Sequence, residues 1–259
     1  MEASRYLECL GTDYAALYAA ASAAGLAAPV PSCPGWTVAD LVTHTGEVYL
    51  HKVAVMRTMR WPDPWPPDYS AERPLAMLAR AYGELTAELT SRDPGEPSLT
   101  WHEPDQTAGF WIRRMTQETV IHRMDAQLAA GITVSPAADD LAADGVDEVL
   151  KLFLGYGSVA WPGEYAAIAG AHLAGEDRKD AIMVAAGGRS WTVRPSPRDV
   201  AVADGEDRAD PAAVRATITG EPDPMLRWLW GRTGDEAIQV TGDPEWADYL
   251  RRLLAAVTQ

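Results

Sequence analysis

The sequence predicts two domains of different class: an all-α helical bundle, then a small α+β domain with a mainly antiparallel sheet. Two observations carry this. Through Tyr156 the apolar residues recur at helical spacing in segments too long for strands. From about residue 164 the segments become short and alternate apolar with polar, the period of strands. Runs of strands that follow runs of helices indicate separate α and α+β units. The boundary is placed near 158–164, at Ser158-Val-Ala-Trp-Pro-Gly163, dividing 1–160 from 161–259.

The first helix covers 3–25, with Tyr6, Leu7, Leu10, Tyr14, Leu17 and Tyr18 as its stripe and Gly25 at its end. The turn Ala28-Pro-Val-Pro-Ser-Cys-Pro-Gly-Trp36 holds too many prolines for a helix. Thr37, with Asp40 three residues on, is an N-cap with an aspartate form of the capping box. It opens a second helix over 38–59 that carries His44, Glu47 and His51. The stretch 60–71 is proline-rich and is expected to be an ordered loop pinned by Trp61, Trp65 and Tyr69. A third helix follows over 72–91, then a loop over 92–107. The fourth helix, 108–131, is read as amphipathic, with Gly131 as its C-cap. Another helix is expected over 141–156. In the second domain, strands are expected over 167–174, 181–186, 190–194, 200–203, 213–219 and 237–240, and helices over 224–231 and 245–257. Neither an internal repeat nor a long low-complexity segment is visible.

With 259 residues and a net charge of −15, the chain can bury a substantial core but lacks the basic footprint that nucleic acid or an anionic membrane surface requires. No apolar run approaches the ~20 residues of a spanning helix, and the N-terminus lacks the pattern of a signal peptide. A cytoplasmic protein is expected, with both cysteines, Cys9 and Cys33, reduced. The tryptophans Trp36, Trp61, Trp65, Trp101 and Trp111 fall near loops and helix starts, where they either wall a pocket or pack the core. P-loop, dinucleotide-binding and serine-hydrolase motifs are absent.

The chemistry concentrates in the fourth helix. Glu118 and His122 are four residues apart, so they share a face one turn from each other, with Asp125 close by. A carboxylate and an imidazole among apolar neighbours are costly unless paired or bound to a metal. His44 is the best candidate for a third ligand, since the second and fourth helices of a bundle can both face its interior. Three N/O ligands with open positions suit zinc, although iron, nickel or manganese could take the same set. The competing reading is that Glu118 pairs with an arginine and the histidines are ordinary. Asp125 either orients a ligand or makes a surface salt bridge. Glu47 and His51 offer a less favoured ligand set with His44. His102, in a loop, either borders the pocket or is merely exposed, and His172, in an expected strand, has no evident partner. Cys33 sits at a helix start, but turn geometry explains its motif better than nucleophilic catalysis.

Two stretches carry a resemblance. Pro31-Ser-Cys-Pro-Gly-Trp-Thr-Val-Ala-Asp-Leu-Val-Thr-His44 and Gln117-Glu-Thr-Val-Ile-His-Arg-Met-Asp125 resemble the paired motifs of the mycothiol-dependent maleylpyruvate isomerase family, whose bundle is of the DinB-like type. Leu226-Arg-Trp-Leu-Trp-Gly-Arg232 with Val240-Thr-Gly-Asp243 resembles, more loosely, that family's C-terminal domain. Gln117 departs from the family pattern, where a histidine is frequent; that position is not a ligand. The resemblance implies that His44, Glu118 and His122 hold Zn2+ and carry the catalysis. Mycothiol would be the thiol cosubstrate, an electrophilic small molecule the other partner, and cis-trans isomerisation or thiol S-transfer the reaction. Arg227 and Arg232 are candidates to bind an anionic substrate or the carboxylate of the thiol cosubstrate, with Arg232 also read as ending a helix and complementing its dipole. The pocket is expected at the open end of the bundle, in a monomer or dimer. A bundle that holds metal for structure, or binds a ligand without turnover, is the alternative.

Overall fold

The computed structural model describes the chain apart from residues 164, 166, 167, 169–179, 206–209 and 259. It divides into two compact units, Met1–Pro136 and Ala137–Gln259.

The first unit is a bundle of four helices: α1 (Ala3–Ala24), α2 (Val38–Thr58), α3 (Pro74–Thr90) and α4 (Ala108–Ala129). Helix α1 lies along α4, and α2 packs against both α3 and α4. The capping box is present: Thr37 Oγ1 accepts from the Asp40 amide at 3.3 Å, and Asp40 Oδ2 accepts from the Thr37 amide at 2.8 Å. These bonds satisfy orphan donors at the start of α2 and set where His44 falls, two turns on. Leu10, Leu17, Leu41, Tyr49, Leu85 and Trp111 are completely buried.

Helix α4 departs from the amphipathic expectation. It is buried on nearly every side, because α1 and α2 both pack against it. Its polar residues are therefore internal and must be satisfied there. Thr119 Oγ1 and Tyr49 Oη lie 2.5 Å apart, and Thr116 Oγ1 donates to the Ile112 carbonyl at 2.8 Å. The Arg123 guanidinium donates to Asp13 at 2.9 Å and to Gln127 at 3.0 Å. Burial of both partners makes the Asp13–Arg123 pair a cross-link between α1 and α4.

The second unit begins with α5 (Asp139–Glu148), which continues through a π-helical stretch, Val149–Tyr156, into the short α6 (Gly157–Ala160). The stretch expected as one helix over 141–156 belongs to the compact unit that begins at Ala137. The reason is packing: α5 lies on α7 (Pro222–Leu229), and the π-helical stretch lies on β3 (Val200–Asp204) and α8 (Pro244–Val257). Its apolar residues Val149, Leu150, Leu152 and Leu154 are buried in the second unit's core.

The sheet runs β3-β2-β1-β4-β5, with β1 at Ala181–Ala186, β2 at Arg189–Pro195, β4 at Val214–Gly220 and β5 at Gln239–Gly242. Only β1 and β4 are parallel; the other pairs are antiparallel. The mainly antiparallel α+β expectation therefore holds. The strand expected over 167–174 falls largely outside the described residues, and His172 falls outside them altogether. No helix among the described residues is long and apolar enough to cross a membrane.

Candidate metal centre

Helices α2 and α4 bring His44, Glu118 and His122 together. One ligand atom from each lies within 4.8 Å of the other two. Glu118 Oε1 is the hub, 3.1 Å from His122 Nε2 and 3.4 Å from His44 Nε2. Tetrahedral zinc with ligands at about 2.0–2.1 Å holds neighbouring donor atoms ~3.3–3.4 Å apart, close to the two separations from Glu118. The site is partly open, with the His44 side chain 39% exposed and that of His122 11% exposed.

Glu118 pairs with an arginine and also faces the two histidines. Its second oxygen, Oε2, accepts from Arg114 Nη2 at 2.7 Å, while Oε1 faces the histidines. Arg114 is one helical turn before Glu118 and its side chain is 4% exposed, so the pair fixes the carboxylate's orientation. Burial pushes the Glu118 pKa up, but His122, His44 and Arg114 outweigh it and hold the carboxyl well below its usual range. His122 is opposed by burial too, yet Glu118 and Asp125 raise it to about 9. Without metal, the cluster is therefore a carboxylate with an imidazolium, held in the geometry an ion would use.

Asp125 settles as the orienting group. It is fully buried, and its Oδ2 lies 3.0 Å from His122 Nδ1. An ionised carboxylate only accepts, so Nδ1 carries the proton and Nε2 faces the cluster. The turn preceding α2 supplies the rest. Ser32 Oγ donates to Asp125 Oδ1 at 2.5 Å, and Cys33 Sγ lies 3.7 Å from Oδ2. Gly35 has φ 87°, the left-handed region where a side chain is strained. That conformation closes the turn, with the Trp36 amide on the Cys33 carbonyl at 3.0 Å, and swings the Trp36 ring to 5.0 Å from His44 and 6.5 Å from His122. The first motif thus does two jobs: it delivers His44, and it ties down the residue that orients His122.

The other candidates fall elsewhere. His51 does not join a ligand set with Glu47 among the described residues; its ring packs against Trp61 and Trp65 at 5.9 and 5.0 Å. Burial, aided by the neighbouring Lys52, pushes its pKa down to about 4. Trp65 also meets Tyr69, as expected of the proline-rich loop. Trp111 is core, and Trp101 packs on Phe110. His102 stacks on Phe110 at 5.8 Å. Arg227 and Arg232 belong to the second unit. Arg227 pairs with Asp223, one turn before it in α7, and Arg232 donates to the Trp230 carbonyl at 2.6 Å.

Two residues escaped the sequence reading. Arg114 was findable, since an arginine four residues before a glutamate is a helical ion-pair spacing. Lys52 gave no such signal. Its Nζ lies 5.0 Å from the centroid of the Trp111 ring and 3.2 Å from His51 Nδ1. Burial pushes its pKa down to about 8, with Glu118 opposing and Arg114 reinforcing the shift.

Comparison with known proteins agrees with this picture at the level of domains and fold. Residues 7–127 match the family described as mycothiol maleylpyruvate isomerase N-terminal domain, and residues 140–249 match the MDMPI C-terminal domain. A crystal structure of the mycothiol-dependent maleylpyruvate isomerase superposes with a TM-score of 0.59 at 13% identity, over 93% of each chain. A crystal structure of a mutant of that isomerase does so with a TM-score of 0.59 at 11% identity, again over 93% of each. No curated protein sequence matches the chain.

Proposed function

The chain belongs to the mycothiol-dependent maleylpyruvate isomerase family, and from that premise we propose that it is a metal-dependent enzyme acting with a small thiol, such as mycothiol, on an electrophilic small molecule. The observation that carries the metal is the triad itself: three donor atoms within 4.8 Å of one another, one of the histidines held by a buried carboxylate. His44, Glu118 and His122 would hold the ion, zinc by donor type. When bound, such an ion supplies Lewis acidity that favours the thiolate form of a thiol or polarises a carbonyl. Three protein ligands leave room for a reactant, whereas purely structural zinc usually has four.

The chain's own residues prepare the site. Asp125 accepts the Nδ1–H of His122, so that Nε2 faces the cluster and would present its lone pair once a metal displaces its proton. Arg114 occupies one Glu118 oxygen and leaves the other for the site. Trp36 packs beside the two imidazoles, its ring 5.0 Å from His44 and 6.5 Å from His122. For isomerisation, the thiolate adds to a C=C bond conjugated to a carbonyl, and the electron pair moves onto the carbonyl oxygen. Rotation follows about the new single bond, and the carbonyl pair returns to expel the thiolate. If a proton reaches the carbanionic carbon first, the adduct persists and the outcome is S-transfer. Arg227, whose Nε is buried without a hydrogen bond, and Arg232 are proposed to bind an anionic part of the thiol.

Elemental analysis of the purified protein beside a His44→Ala, His122→Ala double variant tests the reading. About one zinc per wild-type chain, absent from the folded double variant, supports it. Metal-free wild type that takes up no added zinc would sink it. A turnover screen with thiol then separates isomerase from transferase by whether the thiol is consumed.

A further inference from the structure

The bundle is two close-packed helix pairs, α1 with α4 and α2 with α3, and α2 meets α4 along a seam between them. The triad spans that seam, with His44 on α2 and both Glu118 and His122 on α4. Each pair has polar ties of its own. Arg123 bonded to Asp13, and Thr116 bonded to the Tyr6 carbonyl, join α4 to α1, and Arg57 bonded to Glu88 joins α2 to α3. Apart from the triad itself, one hydrogen bond crosses the seam among the described residues, between Tyr49 Oη and Thr119 Oγ1 at 2.5 Å. Thr119 directly follows Glu118. Tyr49 comes five residues after His44, which is ~7.5 Å along the helix axis.

The direction of that bond is fixed. Thr119 Oγ1 gives its one proton to the Met115 carbonyl at 2.7 Å, so it accepts from Tyr49. Burial keeps the Tyr49 phenol protonated and able to donate. Both residues are completely buried, so bulk solvent does not compete for the bond. A buried hydroxyl pair adds little net stability over an apolar pair of the same shape. It does fix a distance and a direction, which apolar packing alone leaves looser. On the reading of the triad as a metal site, we propose that Tyr49 is a positioning residue for that site: its bond to Thr119 holds α2 and α4 at the separation that keeps His44 facing Glu118 and His122. The donors are thereby held together before an ion arrives, and binding requires less reorganisation.

The test uses the full-length protein, stripped of metal by chelation. It is titrated calorimetrically with Zn2+, the visible spectrum of its Co2+ form is recorded, and the imidazole 1H–15N signals are followed without metal. Wild type is compared with Tyr49→Phe, Thr119→Val, their double variant and Thr116→Val, a control that removes a buried hydroxyl of α4 on its α1 side. Tyr49→Phe is expected to bind Zn2+ about tenfold more weakly, to change the Co2+ spectrum and to shift the His44 and His122 signals. Its metal-free melting temperature should fall by only a few degrees, because Thr119 keeps its bond to Met115. Thr119→Val should lose a similar amount of affinity, and the double variant no more than either, since one bond is removed in all three. Thr116→Val should stay within about twofold of wild type. Wild-type affinity and an unchanged Co2+ spectrum in Tyr49→Phe overturn the assignment, as does an equal loss in Thr116→Val, which would mark general loosening of the bundle. Wild type that takes up no metal sinks the reading of the triad, and the metal-free histidine signals then decide alone: shifted by Tyr49→Phe and not by Thr116→Val, they uphold the clamp, and unshifted they overturn it. If Tyr49→Phe fails to fold, Thr119→Val carries the comparison.

Discussion

Asp125 is the single residue on which the proposed site depends most without being a ligand. It accepts hydrogen bonds from His122 and from the preceding turn, so truncating it frees the imidazole to rotate. Asp125→Ala is expected to weaken zinc binding 10–100-fold, read by competition with a chromophoric chelator, while helical circular dichroism is retained. His51 gives a pH signature. Its pKa in the fold is about 4 against an ordinary 6.5. Between those values the unfolded chain holds a proton the folded one refuses, so stability falls as pH drops from 6.5 toward 4. Denaturant melts across that window should show a shallower acid slope for His51→Gln than for wild type. Equal slopes would mean the ring is protonated in the fold. Of these residues, Asp125 and His51 were visible in the sequence but not resolved by it. Helical spacing put Asp125 near the ligand face, yet nothing local said whether that face was buried or wet.

Helix α4 shows what element-level reading supports and where it stops. The spacing of Glu118 and His122 is an intrinsic property of the helix and was legible at once. Burial all around was not, since it depends on α1 and α2 arriving on both sides. Once α4 is central, its polar residues become cross-links. Asp13→Ala leaves Arg123, 1% exposed, without its carboxylate, and removing one partner of a buried pair costs about 3–5 kcal/mol. Chemical denaturation should show a loss of that size, and a loss under about 1 kcal/mol would mean that water reaches the guanidinium. The capping box was readable for the opposite reason: all its atoms lie within four residues, and the structure contains it as expected.

Over the whole molecule, the division at Pro136/Ala137 makes a prediction that a division at 160/161 does not. A fragment of residues 1–136 is expected to be soluble and helical and to bind metal with the stoichiometry of the full chain. A fragment of 1–160 carries Val149, Leu150, Leu152 and Leu154 away from the sheet that buries them, and exposed apolar surface of that kind associates. Size-exclusion chromatography of the two fragments distinguishes the boundaries; a monomeric 1–160 beside an aggregated 1–136 would favour the later one. The helix at the boundary was detected because its apolar spacing is helical. Its allegiance was not, because an apolar stripe records that something covers it and not what.

The sequence by itself determined the local features: the helical face shared by Glu118 and His122, the cap that starts α2, the switch from helical to alternating periodicity, and two motifs specific enough to indicate a family. Each is written within a few residues, where backbone geometry translates spacing into position. Only the tertiary structure decided the pairings across the chain: Ser32 with Asp125, Tyr49 with Thr119, Asp13 with Arg123, and Lys52 with the face of Trp111. Those contacts join residues 59 to 110 positions apart, and no local rule specifies them. They follow from which helices pack together, and that is set by the fit of all the apolar faces at once.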